Sequence, residues 1–282
     1  MTDITRDVEW ARVLADLERS AAISRAVDEK VLAWLAPSAG SRVADIGCGA
    51  GGMSVLLADA VGPDGHVIAV DGESVLLNAT IERARRAGLV DRVRPLEHDL
   101  SAGPPPLEGL DLVWAAHVVH HLPDQQAALN GLAAALDSTG RLALAEGGLA
   151  SSCLPWDVGV GEPGLEDRLN AAVEAWFAAM RSDLPDVRRM PYGWAAAMAL
   201  AGLTGVESRT FLLELSTPLD PTARAHAIQA LATRVERVHN RLPPADSAAW
   251  NRMLDPDDEM AIARRDDLHV LAAHTVHVGT RV

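Results

Sequence analysis

Cysteine is nearly absent. Cys48 and Cys153 are the only two, too few for a disulfide framework or a cysteine-built zinc site, so no metal is expected. Aromatic side chains other than tryptophan are as scarce, one tyrosine and two phenylalanines against seven tryptophans. Any aromatic surface in a pocket therefore has to come from tryptophan. No apolar run reaches the roughly 20 residues that span a bilayer. The opening Met-Thr-Asp-Ile-Thr-Arg-Asp has no basic stretch leading into an apolar one, so neither a signal peptide nor membrane association is expected. Positive charge is also short: 25 basic against 39 acidic residues leave a net charge of −14. Such a surface repels phosphate backbones and disfavours nucleic acid as substrate or partner. The densest basic group, Arg83, Arg85 and Arg86, falls at helical spacing and reads as a solvated helix face. What remains is a globular chain, 49% hydrophobic and 23% charged, expected in the cytoplasm.

Hydrophobic spacing orders the chain. Trp10, Val13, Leu14, Leu17, Ile23, Val27, Val31, Leu32 and Leu35 recur at helical intervals, so residues 8–36 read as a helical arm. Such an arm can serve as a lid or mediate a homodimer. Strands are then expected at 42–46, 67–70, 93–97, 110–114 and 141–145, separated by helices over 53–60, 74–87 and 125–136. Strands alternating with helices imply a parallel sheet with right-handed crossovers. After Glu146 the rhythm breaks. Residues 151–190 and 218–267 read as helical insertions; 191–201 is helical, and strands follow at 206–215 and 271–280. The expected division is an arm (1–38), a core (39–150, 191–217 and 268–282) and two lid-like insertions.

The most informative stretch is Val43-Ala-Asp-Ile-Gly-Cys-Gly-Ala-Gly-Gly52. A short buried strand breaks into glycines just before a helix, which offers backbone N–H groups to a ligand. Gly47, Gly49 and Gly52 fit the dinucleotide pattern G-x-G-x-x-G, and Asp71 stands where a ribose-binding acid belongs. Three details point elsewhere. Asp45, at the strand end before the glycines, suits a ligand bearing an ammonium rather than a pyrophosphate. Asp99, in His98-Asp99-Leu100 after the third strand, can accept from an exocyclic adenine amine. The fourth strand runs into Ala115-Ala-His-Val-Val-His-His-Leu-Pro-Asp124.

Taken together, Asp45 to Gly51, Asp71, Asp99 and His117 to Asp124 resemble the motifs of class I S-adenosylmethionine-dependent methyltransferases of the small-molecule type. The resemblance covers roughly residues 40–150. It implies an α/β, Rossmann-like, mostly parallel seven-stranded sheet with helices on both faces and an antiparallel final strand. It also implies S-adenosyl-L-methionine as cofactor, held by Asp45, Gly47, Cys48, Gly49, Gly51, Asp71, Gly72, Asp99, Leu100 and Ala116. Within that set the Cys48 side chain is read as packing beneath the loop, and Asp99 can equally cap the segment from Ser101.

Methyl transfer is an in-line displacement from an activated sulfonium, so the protein must align the acceptor and, where needed, remove a proton. His117, His120, His121 and Glu146 are the candidates for that task, with His117 nearest the strand end. The expected partner is a small-molecule methyl acceptor, in a tailoring step of specialised metabolism. A cofactor-binding protein of the same fold that catalyses another reaction, or serves as a binding module, remains the alternative.

Overall fold

The structure, a computed structural model, describes the backbone of residues 3–282. Met1 and Thr2, where the leader reading begins, and the side chains of 3–9 and 11 lie outside the described residues. The chain runs α1 (Asp3–Leu35), β1 (Arg42–Ile46), α2 (Gly52–Ala60), β2 (His66–Asp71), α3 (Ser74–Arg86), β3 (Val93–Glu97), β4 (Leu110–Ala116), α4 (Gln125–Ala134) and β5 (Leu136–Ser152). It continues through α5 (Leu165–Ser182), α6 (Trp194–Leu200), β6 (Leu203–Leu215), α7 (Pro221–Val238), α8 (Pro244–Leu254) and β7 (Val270–Arg281). No described helix is long and apolar enough to cross a membrane.

The sheet has seven strands in the order β3-β2-β1-β4-β5-β7-β6. The first five pair in parallel. β6 and β7 run antiparallel, because Thr204, Ser208 and Thr210 meet Thr280, His277 and Thr275 in reverse order. β1, β2 and β4 are buried along nearly their whole length, including Trp114. Burial on both faces explains why these strands read as continuous apolar runs rather than alternating ones. Chain order reverses between β1 and β4, and an open α/β sheet places its ligand crevice at the carboxyl ends of strands at such a switch point.

The largest departure from the sequence reading is β5, read as 141–145 and observed over Leu136–Ser152. The helix stops at Ala134, and Leu136 already pairs with Leu110, with a register slip before Leu112. A side chain on Gly140 would stand 2.4 Å from the Leu110 carbonyl oxygen. That glycine lets β5 pass close to β4, where sequence alone suggests a turn.

Two compact units emerge from the packing. The first comprises residues up to Gly148, Pro185–Phe211 and His274–Val282. Within it α1 is one continuous helix, burying Val27, Val31 and Leu35 at four-residue intervals. Such spacing places all three on one helical face.

The second unit comprises Leu149–Leu184 and Leu212–Ala273. Its interior holds Leu165, Leu169, Leu231 and Trp250, and α5 packs against α7. The Glu166 carboxylate is buried, accepts from the Cys153 and Leu154 amides, and pairs with Arg234 at 2.8 Å. Removing one partner of a buried pair leaves an uncompensated charge. Arg234→Ala should therefore destabilise this unit by about 3–5 kcal/mol, read as a lower urea midpoint by circular dichroism.

Candidate active site

β1 ends at Ile46, and the chain turns through Gly47, Gly49 and Gly51, all with positive φ, into α2. Two of these positions exclude any side chain. A Cβ on Gly47 would stand 2.2 Å from Val118 Cγ2, and one on Gly51 would stand 2.8 Å from the Thr80 backbone. The left-handed backbone (φ 67° at Gly47, 75° at Gly51) penalises L-residues independently. Gly47→Ala should therefore abolish ligand binding at this loop, with at least a hundredfold loss of cofactor affinity by calorimetry. Gly62→Ala, in a turn with open space around it, is the strain-only control and should retain affinity.

The loop is tied down from α3. Thr80 donates to the Gly49 carbonyl at 2.9 Å, and Arg83 Nε donates to the Ala50 carbonyl at 2.7 Å. Arg83 thus departs from the solvated-face reading, whereas Arg85 and Arg86 keep it by pairing with Glu82. Cys48 lies buried beneath the loop with its Sγ 3.5 Å from Thr80 Oγ1, and burial pushes its thiol well up. A thiol so disfavoured as thiolate packs rather than attacks.

The acids take different stations. Asp45 is buried and accepts from the Ser54 hydroxyl at 2.5 Å. Burial raises its carboxyl to about 7, with Asp71 and Asp28 adding to the rise and Ser54 opposing it. Asp71, at the end of β2, accepts from the Gly49 amide at 3.0 Å through Oδ2 and from the Glu73 amide at 3.1 Å through Oδ1. Each oxygen has a second lone pair for a hydroxyl donor. Asp99 caps the short turn Leu100–Ala102, accepting from the Ser101 amide at 2.8 Å, and the Ser101 hydroxyl first and that amide second hold its carboxyl below the usual range. Gly72 has ordinary room beside it: a Cβ would lie 3.7 Å from Asp99 Cα, so the loops after β2 and β3 face each other there. Leu100 joins Ile46, Val119, Leu122 and Ala128 around an open cleft of about 150 Å³, and Ala116 is half-buried at the end of β4.

His117 follows β4 directly, with φ 55°. This left-handed backbone is uncommon for a non-glycine residue and costs of order 1–3 kcal/mol. Its amide donates to the Ala145 carbonyl at 3.0 Å, which bridges the ends of β4 and β5. Glu146 is almost completely buried. Its Oε1 accepts from the Val118 and His120 amides at 3.1 and 3.3 Å, and its Oε2 meets His120 Nδ1 at 2.6 Å. His117, His120 and Glu146 each bring a donor atom to within 4.8 Å of the others. His121 stands outside this group, its ring 4.0 Å from that of His120. The His117 side chain is open to solvent on one side and crowded on the rest. Loss of water there, with His274 and His120 nearby, holds its imidazole below the usual histidine value against the pull of Glu146. His274, whose ring lies edge-on at 5.4 Å from His117, and Asp28 of α1, which acts on His274, escaped sequence reasoning. Nothing in their spacing links them to residue 117.

A family model described as a methyltransferase domain matches residues 43–140, the stretch from β1 through the histidines. Over these residues the chain is similar to the class I S-adenosylmethionine-dependent methyltransferases. Among sequence relatives, the 27-O-demethylrifamycin SV methyltransferase of Amycolatopsis mediterranei is 34% identical over 138 residues, 49% of this chain and 48% of that protein. Methyltransferase GfsG of Streptomyces halstedii is 33% identical over 121 residues, 42% of each chain. The chain thus spans about half the length of the curated relatives it matches. Among solved structures, the YcgJ protein of Bacillus subtilis superposes with a TM-score of 0.55 at 16% identity, covering 90% of this chain and 98% of its own. The [4+2]-cyclase SpnF reaches 0.50 at 15% identity, covering 92% and 80%. At these identities the two structures establish the shared fold.

The methyltransferase domain fits its cofactor, S-adenosyl-L-methionine, on structural grounds. Glycines let the Gly47–Gly51 turn pack directly on Val118 and Thr80 ahead of the α2 N-terminus, and acids stand in β1 and at the end of β2 beside it. Glu146 and the second unit lie beyond the residues that the family model covers.

Proposed function

We propose that this chain transfers the methyl group of S-adenosyl-L-methionine to an oxygen, nitrogen or carbon of a small organic molecule, as a tailoring step in specialised metabolism. One observation carries the reading: the cofactor loop and the histidine group touch. Val118, between His117 and Val119, packs on Gly47 so closely that only glycine fits, while its amide is held by Glu146. A group that activates an acceptor is thereby fixed against the loop that cradles the methyl donor, as an in-line displacement requires.

The cofactor supplies an activated methyl on a sulfonium. The chain's own residues do the rest. Asp71 anchors the loop and offers lone pairs to ribose hydroxyls, Asp99 offers its second oxygen towards adenine, and Asp45 balances the ammonium. His117, His120 and Glu146 mark where the acceptor loses its proton. The acidic surface favours a neutral or cationic acceptor. The name of the 27-O-demethylrifamycin SV relative supports a natural-product substrate.

Incubation with methyl-labelled S-adenosyl-L-methionine and a panel of hydroxylated polyketides and aromatic amines tests this. Labelled product with stoichiometric S-adenosylhomocysteine is expected. Tight cofactor binding without transfer to any acceptor would favour the second reading, a different reaction on the same fold, for which the cyclase SpnF is the specific observation. Asp71→Ala removes the acceptor for two backbone amides as well as the ribose contact. Hydrogen bonds to charged groups are worth about 1.5–3 kcal/mol each, so cofactor affinity should fall roughly a hundredfold by titration calorimetry.

A further inference from the structure

Glu146 poses an electrostatic problem that the reading above leaves open. It is a carboxylate with 1% exposure, and no arginine or lysine pairs with it among the ion pairs of the described residues. Its ion-pair partner is His120, and the His117 and His277 rings lie within electrostatic reach. Buried charges in proteins are paired with a fixed cation or coordinate a metal. Its orientation is set before any ligand arrives, because Oε1 is clamped by the Val118 and His120 amides while Oε2 turns to the histidines. Across from it, His117 adopts the left-handed backbone that sets its ring 6.2 Å, centroid to centroid, from that of His120.

We propose that His117, His120 and Glu146 form a binding site for one divalent first-row transition-metal ion, with zinc as the reference ligand. The proposal rests on the methyl-transfer reading for its role, but not for its binding. Two imidazoles and one carboxylate are the donor set of open, catalytic sites, which keep positions for water or substrate. The three donor atoms lie within 4.8 Å of one another. Ligand atoms on a tetrahedral ion with bonds of roughly 2.0–2.1 Å sit about 3.3 Å apart. Holding an ion therefore opens the 2.6 Å contact between His120 and Glu146 by about 0.7 Å and closes separations of up to 4.8 Å by up to about 1.5 Å, within the reach of side-chain rotation. The spacing His-x-x-His across a single tight turn and the bridge between the ends of β4 and β5 supply the rigidity. His274 stands edge-on to His117, its ring 5.4 Å away. His117 is exposed, so solvent and small molecules reach the site. A hydroxyl acceptor bound there loses its proton to solvent. Its oxygen lone pair then forms the bond to the methyl carbon, while the carbon–sulfur bond breaks and leaves its electron pair on sulfur.

The test uses full-length protein stripped with a chelator, then titrated with zinc and separately with cobalt(II). One equivalent of zinc should bind at micromolar affinity or tighter, and cobalt(II) should give the d–d absorption of a nitrogen- and oxygen-ligated ion. His120→Ala and Glu146→Gln should each weaken zinc at least a hundredfold at unchanged circular dichroism, whereas His66→Ala, in β2, should keep it. Wild-type protein that takes up no stoichiometric metal, or variants that bind as wild type does, would overturn the site. Labelled methyl transfer separates the two readings. Stripped protein as fast as loaded protein overturns the metal's role and leaves the methyltransferase standing. Metal and cofactor both bound without transfer leaves the site standing and removes the transfer reading.

Discussion

Glu146→Ala should be the most damaging single substitution in the first unit, lowering stability by about 2–5 kcal/mol and methyl transfer by at least a hundredfold. Three donors converge on that carboxylate: the amides of Val118 and His120 and the His120 ring. A buried amide left without an acceptor costs about 1–3 kcal/mol, and alanine strands two of them. The transfer loss has a separate origin. The turn 117–121 would no longer hold the histidines against the cofactor loop, and small misplacements at a reacting centre cost orders of magnitude. Glu146→Gln separates these effects, because its carbonyl oxygen still accepts from the amides while the charge is gone. Urea unfolding should show most of the stability restored in the glutamine variant, whereas kcat stays low. Equal loss of stability in both variants would mean that the charge, rather than the amide acceptor, holds the turn.

How far the sequence discloses this site depends on the range of the interaction concerned. The β1 glycine turn, Asp45 and Asp71 lie within one strand–helix–strand repeat, where local spacing fixes geometry. Glu146 is legible as a residue at a strand end, but its grip on residues 118 and 120 depends on the β4–β5 register, which sets Ala116 beside Ala145. Ser54 beneath Asp45 and Thr80 over Gly49 leave no trace, because a small polar residue in a helix carries no signal of what it faces. Arg83 misleads for the same reason. Its spacing with Arg85 and Arg86 describes a solvated face, yet it is half-buried and bonded to the loop. The helices of the second unit follow their hydrophobic period. Their ion pairs join residues as distant as Arg168 and Asp246, which only the packed chain brings together.

Cofactor binding should tighten about tenfold for each pH unit between roughly 5 and 7 and then level off, and Asp45→Asn should abolish that dependence. Burial raises the Asp45 carboxyl from 3.8 to about 7, so below 7 the group is mostly protonated and has no charge to offer an ammonium. A cationic ligand favours the ionised form, and the cost of removing that proton falls as pH rises to the raised value. The same shift has the opposite sign for the ligand-free fold. Between 3.8 and about 7 the folded state holds a proton that the unfolded chain has lost. Stability contributed by this group is therefore complete below 3.8 and lost as pH climbs through 7. At 1.36 kcal/mol per pH unit that gap is worth about 4 kcal/mol. Asp45→Asn, which keeps an acceptor for Ser54, should thus make the ligand-free protein more stable than wild type at pH 8 while weakening its hold on the cofactor. Thermal melts and calorimetric titrations at pH 5, 6, 7 and 8 measure both. A stabilised variant with undiminished affinity would place the ammonium elsewhere, and a destabilised one would mean that the buried carboxylate is ionised at little cost. If both effects appear together, the folded chain keeps at Asp45 a charge that is unfavourable until the cofactor's ammonium is bound.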